Sequence, residues 1–129
     1  MINERDREFI REMFAKELTG DVTLELATRP GDGNYSEETE QLLGEVAGLS
    51  DRISLAVSQS DGDVPILTYR GKNKGTLRFL GIPIGNEFRN LIDAIVEVGN
   101  GQTDLSDATR QALADLKEDV HLRVFVTPT

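Results

Sequence analysis

The sequence predicts an α/β domain with a central mixed β-sheet flanked by helices. Two observations lead to this fold class. Helix-like and strand-like apolar spacings alternate along the first half of the chain, which favours a β-α-β unit with parallel strands. Two later β-like segments are joined by only five residues, which favours an antiparallel hairpin. The predicted order is therefore an N-terminal helix, then β-α-β, then β-β-α.

Composition and charge limit the classes of function. The chain has 129 residues, 38% of them apolar and 29% charged, which is typical of about one folded domain. It contains no cysteine, so it can form no disulfide bond, thiolate nucleophile or cysteine-ligated metal site. A net charge of −9 argues against nucleic acid and anionic membranes as partners. We expect a cytoplasmic protein, since the N-terminal segment is charged and no membrane-length apolar run follows it. We also expect no cofactor and no metal ion.

The first helix and strand follow from a change in apolar period. Apolar residues recur every three to four positions from Asn3 to Leu18, which predicts an amphipathic helix with Asn3 as its N-cap. Gly20 ends this helix. The residues then alternate between apolar and polar from Val22 to about Thr28, which predicts a strand.

The second helix and strand complete the parallel unit. Turn-forming residues fill the segment after Thr28, and Ser36, followed by two glutamates, is the predicted N-cap of the next helix. That helix is expected to bury Leu42, Leu43, Val46 and Leu49. The run from Arg52 to Ser58 is the predicted second strand.

A hairpin and a third helix follow. Segments 65–70 and 76–80 are β-like, and the link between them has glycine at both ends, Gly71 and Gly75. After a turn around Pro83, apolar residues trace one helical face that ends near Gly99-Asn100-Gly101.

The C-terminal part repeats the opening pattern. A helix from Ser106 to Lys117 is expected to bury Ala112, Leu113 and Leu116, and alternation predicts a strand from Val120 to Val126. Sliding the sequence by 98 positions places Asp21-Val22-Thr23-Leu24 on Asp119-Val120-His121-Leu122, and Pro30 on Pro128. We therefore expect one domain over residues 1–117, with 118–129 as the first strand of a truncated second repeat or as a closing strand. The alternative is two similar α-β edges within one domain.

Three short segments in this element order resemble the thioredoxin and glutaredoxin-like proteins. The first is the loop-to-helix junction Gly33-Asn34-Tyr35-Ser36, the second is Val64-Pro65 before the hairpin, and the third is Gly81 after it. The stretches 49–53, 78–88 and 120–129 resemble the tandem protein disulfide oxidoreductases and the N-terminal region of the flavoprotein subunit of alkyl hydroperoxide reductase. Both families contain two fused thioredoxin folds.

The resemblance implies a redox site that has lost its chemistry. An alignment from the helix places Gly33 and Ser36 at the two cysteine positions of the Cys-x-x-Cys motif, and an alignment from the strand places the first cysteine at Asp32 instead. The resemblance also implies a cis Val64–Pro65 bond, whose outward-facing backbone would pair with an extended substrate, with Gly81 beside it. The alternative is a trans proline that simply starts a strand.

These observations lead to two hypotheses. The first is a redox-inactive domain, not itself catalytic, that supports or docks a downstream thioredoxin-like domain of the same parent chain in thiol-disulfide electron transfer. The second is a stand-alone module that binds a peptide or thiol-protein substrate along the cis-proline edge. A groove for glutathione or another small anion is a third alternative. Ser36 is interpreted as a helix cap rather than a nucleophile, because the single histidine, His121, lies on a different predicted strand.

Overall fold

The computed structural model describes residues 1–33 and 35–127. Up to the last helix it forms helices and strands in the predicted order. The helices are α1 (Glu4–Glu17), α2 (Tyr35–Ala47), α3 (Asn86–Asn100) and α4 (Asp107–Ala114), and the strands are β1 (Val22–Thr28), β2 (Ile53–Gln59), β3 (Ile66–Arg70) and β4 (Leu77–Leu80).

The four strands form one mixed sheet in the order β2-β1-β3-β4. Strands β1 and β2 are parallel, with Val22 opposite Ile53, and helix α2 connects them. Strand β3 pairs antiparallel with both β1 and β4. The predicted parallel unit and the predicted hairpin are both confirmed, and β1 and β3 occupy the centre of the sheet.

One face of the sheet carries the hydrophobic core. Strand β1 alternates between buried and half-buried side chains, as its period of two predicts, and its buried residues belong to one cluster with residues of α1, α2 and α3. On the outer strand β2, the opposite face is exposed at Ser54, Ala56 and Ser58. The core comprises Ile10, Phe14, Leu18, Val22, Leu24, Leu26, Leu43, Val46, Leu49, Ile53, Leu67, Tyr69, Leu91, Ile92, Ile95 and Val98.

The helix ends follow local chemistry. The Asn3 side chain accepts a hydrogen bond from the Asp6 backbone N–H at 2.9 Å, which confirms the predicted N-cap of α1. Helix α3 ends at Gly101, whose φ of 66° is left-handed and suits glycine. The side chain of Asn100 then joins α3 to the end of α1, donating to the Glu17 carbonyl and accepting the Thr19 backbone N–H.

The C-terminal segment differs from its prediction. Helix α4 forms, with Ser106 as its N-cap, but it buries no residue; Leu113 and Leu116 are half exposed and Ala112 is exposed as well. Residues 120–126 form no strand. The reason is physical: a strand needs a neighbouring strand for its backbone hydrogen bonds, and no described segment supplies one.

Among the described residues, the packed part of the chain therefore ends at Gly101, and every residue from there to 127 is exposed. The division into two domains stays a prediction, because this packing does not say what covers the segment in a longer protein.

Candidate functional site

The loop between β1 and α2 is the position at which the resemblance places the redox motif. Strand β1 ends at Thr28 and helix α2 begins at Tyr35, so Gly33 lies in the loop while Tyr35 and Ser36 lie in the first turn of the helix. Asn34, which was also predicted for this site, is outside the described residues. Gly33 has a φ of 76°, a backbone conformation that glycine adopts without strain.

Asp32 and Ser36 close this loop with hydrogen bonds. The Ser36 hydroxyl donates to Oδ2 of Asp32, and the Ser36 backbone N–H donates to the same carboxylate at 3.1 Å. The Ser36 Oγ in turn accepts the Arg29 backbone N–H at 3.1 Å. The hydrogen bond from the Ser36 hydroxyl, aided by the backbone bonds, holds the pKa of Asp32 below its usual value.

The predicted role of Ser36 as the N-cap is thus wrong. Ser36 lies inside the first turn of α2, and its own backbone N–H is bound by the carboxylate of Asp32. A carboxylate at this place satisfies an orphan N–H of the helix and complements the positive end of the helix dipole. The hydroxyl of Ser36 is buried and already bonded on both sides, so it is not an available nucleophile.

The other two predicted segments lie beside this loop. Arg29 forms an ion pair with Asp63 at 3.1 Å, which brings the loop next to Val64. The Gly81 backbone N–H donates to the Pro65 carbonyl at 2.8 Å, which brings Gly81 to the same place. The fold therefore gathers the three segments at one end of the sheet. Exposed apolar side chains surround them at Tyr35, Val64 and Ile84.

The expected cis bond at Pro65 is not present. No described peptide bond is cis, so Val64–Pro65 is trans. The trans form is the lower in free energy for an X–Pro bond by about 0.5–1 kcal/mol, and here the buried Pro65 ring leads directly into β3. No hydrogen bond is made by the backbone N–H or C=O of Val64 within the described part of the chain.

The residue types at this site limit the reactions that it can perform. Without cysteine, its loop can form neither a disulfide bond nor a mixed disulfide. His121 is exposed in the C-terminal segment and not part of this site. Across residues 1–33 and 35–127, no group of three or more acidic or histidine side chains is arranged to hold a metal ion. No described helix is long and apolar enough to cross a membrane.

Two acidic side chains with structural roles were missed by reasoning from the sequence. The resemblance treats Asp32 only as an alternative cysteine position, although an aspartate just before a helix is a recognisable capping signal. Glu87 is buried in the first turn of α3 and accepts a hydrogen bond from the Asn90 amide at 3.0 Å. Burial, with a smaller contribution from the charge of Glu87, raises the pKa of Tyr69 well above its usual value.

Comparison with known proteins confirms the resemblance and the thioredoxin-like fold. The chain is 36% identical over 83 residues to the F subunit of alkyl hydroperoxide reductase from Pseudomonas aeruginosa, a match that covers 63% of this chain and 16% of that protein. It superposes with a TM-score of 0.76 and 25% identity on the structure of a mutant of the same reductase component from Enterococcus faecalis, covering 89% of this chain and 61% of the other.

A protein disulfide oxidoreductase from Aeropyrum pernix is equally similar in structure, with a TM-score of 0.76, 26% identity and coverage of 89% of this chain and 55% of that one. The chain spans about a fifth of the length of the curated relatives it matches. No protein-family model matches the sequence.

Proposed function

We propose that this chain is a redox-inactive thioredoxin-fold module of a longer disulfide oxidoreductase or alkyl hydroperoxide reductase. Its role is to support or dock a downstream thioredoxin-like domain that carries a Cys-x-x-Cys motif. Electron transfer to peptide or thiol-protein substrates takes place in that second domain, and the expected cytoplasmic location is part of this proposal.

The first part of the proposal, that the module is redox-inactive, rests on the loop between β1 and α2. The resemblance assigns its position to a redox motif, yet its geometry is maintained by the Asp32 carboxylate and the Ser36 hydroxyl rather than by two sulfurs. A loop that is closed by internal hydrogen bonds keeps the shape of the thioredoxin fold without any redox chemistry.

The second part of the proposal, a downstream thioredoxin-like domain, is supported by the exposed segment after Gly101. Its helix and its alternating residues repeat the pattern of α1 and β1, and a pattern of this kind packs only when a sheet and further helices cover it. Its exposed apolar side chains are Leu105, Leu113, Leu116, Val120, Leu122, Val124, Phe125 and Val126. A second thioredoxin-like domain that begins with this segment would bury them.

The test compares this chain with the longer protein encoded by its gene. We expect a Cys-x-x-Cys motif within a few residues of Thr129, reduction of a disulfide substrate by the longer protein only, and slow amide hydrogen exchange at residues 120–126 in the longer protein only. Leu122→Asp should abolish that protection in the longer protein and leave this chain folded as before. Fast exchange in both proteins, or the absence of the motif, contradicts the proposal.

A second candidate function, peptide binding without redox coupling, is favoured by Val64. Its backbone N–H and C=O lie at an exposed apolar edge, and an extended peptide can pair with such groups. Titration with extended peptides should then shift the NMR signals of Tyr35, Val64 and Gly81. Val64→Pro, which removes the N–H, should abolish the shifts, whereas Val64→Thr should retain them. Unchanged signals in the wild-type protein contradict this candidate.

A further inference from the structure

Strand β2 lies at one edge of the sheet, and its outer side has no neighbouring strand among the described residues. It is seven residues long, pairs with β1 in unbroken register, and contains no proline and no charged residue. Natural sheets usually protect an edge by making it short, charged or interrupted, because unpaired backbone groups invite a strand from another chain.

The opposite edge shows that protection. Strand β4 has only four residues, one of which is the charged Arg78, and Gly81 and Pro83 end the strand region directly after it. The same sheet therefore has one protected edge and one edge that is open to pairing.

The backbone groups that point outward from β2 are known from its pairing with β1. The Val22 N–H donates to the Arg52 carbonyl at 2.8 Å, and the Ser60 N–H donates to the Thr28 carbonyl at 2.7 Å. Because backbone groups alternate in direction along a strand, the even-numbered residues between these two face β1. Leu55 and Val57 consequently direct their N–H and C=O groups away from the sheet.

We propose that strand β2 is a homodimer interface, in which it pairs antiparallel with β2 of a second copy of this chain. With Ala56 on the two-fold axis, Leu55 lies opposite Val57 of the second copy, and each such pair exchanges two backbone hydrogen bonds. The half-buried Leu55 and the exposed Val57 meet on the helix side of the joined sheet.

The sequence of β2 complements itself in this register. On the open side of the sheet, Ser54 lies opposite Ser58 of the second copy, so no strand residue places a charge against a like charge. A second copy is therefore an occupant that satisfies both the outward backbone groups and the exposed Val57. This inference does not depend on the proposed function.

The first experiment measures association by analytical ultracentrifugation at rising concentration up to millimolar. We expect a reversible dimer. Ala56→Lys and Ala56→Glu each place two like charges opposite one another at the axis and should raise Kd about tenfold or more. An equimolar mixture of the two variants should restore association. Because Ala56 is exposed, both variants should retain the wild-type Tm at a concentration where all three proteins are monomeric.

A second pair of variants tests the backbone pairing directly. Val57→Pro removes an N–H that β1 does not use, so it should prevent association while the domain stays folded. The matched control Val57→Thr keeps that N–H and should dimerise. A monomer at all concentrations overturns the proposal. So does a dimer that ignores the Ala56 variants, which would assign association to the exposed C-terminal segment, or a mixture that fails to restore it.

Discussion

Two regions of this chain have the same sequence pattern and opposite environments. Helix α1 and strand β1 form the centre of the packed body, whereas helix α4 and residues 120–126, which repeat that pattern 98 positions later, are exposed throughout. Leu24 is 0% exposed and its counterpart Leu122 is 82% exposed. The apolar spacing therefore indicates which side chains can be buried, but their burial also requires neighbouring elements that cover them.

The helix and the strand of the exposed copy also behave differently from each other. Helix α4 forms because its hydrogen bonds are local and because Ser106 caps it and Asp107 pairs with Arg110. Residues 120–126 form no strand because strand hydrogen bonds are made with another segment. In the packed copy, β2 and β3 supply those bonds on both sides of β1.

The largest expected effect comes from the matched leucines. Leu24→Ala leaves a cavity in the core and should lower the free energy of unfolding by about 2–5 kcal/mol. Leu122→Ala removes an exposed side chain and should change it by less than about 0.5 kcal/mol. Urea denaturation of both variants measures the difference. Equal losses would show that the exposed copy is packed in solution.

A smaller effect is expected at the junction between α1 and β1. Gly20 lies against Gly99, where an added Cβ would come within 2.0 Å of the Gly99 carbonyl oxygen. Gly20→Ala should therefore force the backbones apart and lower the free energy of unfolding by about 1–3 kcal/mol.

The matched control for this junction is Gly44, an exposed position in α2 where an added Cβ meets nothing within 4 Å. Gly44→Ala should raise the free energy of unfolding by about 0.5–1 kcal/mol, because alanine favours a helix more than glycine does. A neutral result for Gly20→Ala would mean that α1 is not held against α3 as the structure shows.

Most of the packed body was predictable from local signals. The apolar period gave β1 its bounds, and short glycine-flanked links identified the β3–β4 hairpin. The exposure of α4 was not predictable, because Leu113 and Leu116 have the spacing of core residues whether or not a partner is present. Amphipathic spacing indicates which face of a helix can pack, but it does not indicate whether another element is present to pack against that face.

The sequence predicted which segments lie together near this loop but not their detailed geometry. The resemblance located the segments around Gly33, Val64 and Gly81, which the fold brings together. It also implied a cis bond before Pro65, and that expectation was wrong, since the isomer of an X–Pro bond is set by tertiary contacts rather than by the dipeptide. The bond between Asp32 and Ser36 was not predictable from residue type, because either side chain can cap a helix and only the path of the loop decides which one does.

The smallest expected effect concerns Glu45, whose hydrogen bonds anchor the start of α1. Glu45 of α2 accepts hydrogen bonds from the Met1 ammonium at 3.0 Å, the Ile2 backbone N–H at 3.1 Å and the Arg7 guanidinium at 2.9 Å. Among the described residues, by contrast, Arg110 of α4 pairs within its own helix, with Asp107. Glu45→Gln should lower the free energy of unfolding by about 0.5–1 kcal/mol at neutral pH, and Asp107→Asn by less.

The pH dependence of this pair separates charge from packing. The hydrogen bond from the N-terminal ammonium is the main cause that holds the pKa of Glu45 below its usual value. A lowered carboxyl pKa stabilises the folded state above the unfolded-state pKa, and this contribution is lost as the pH falls through the folded-state pKa. The difference between wild type and Glu45→Gln in urea denaturation should therefore be constant near neutral pH and shrink below about pH 4. A difference that persists unchanged into acid would mean that shape rather than charge at Glu45 holds α1 in place, and that the two helix–strand copies differ in packing alone.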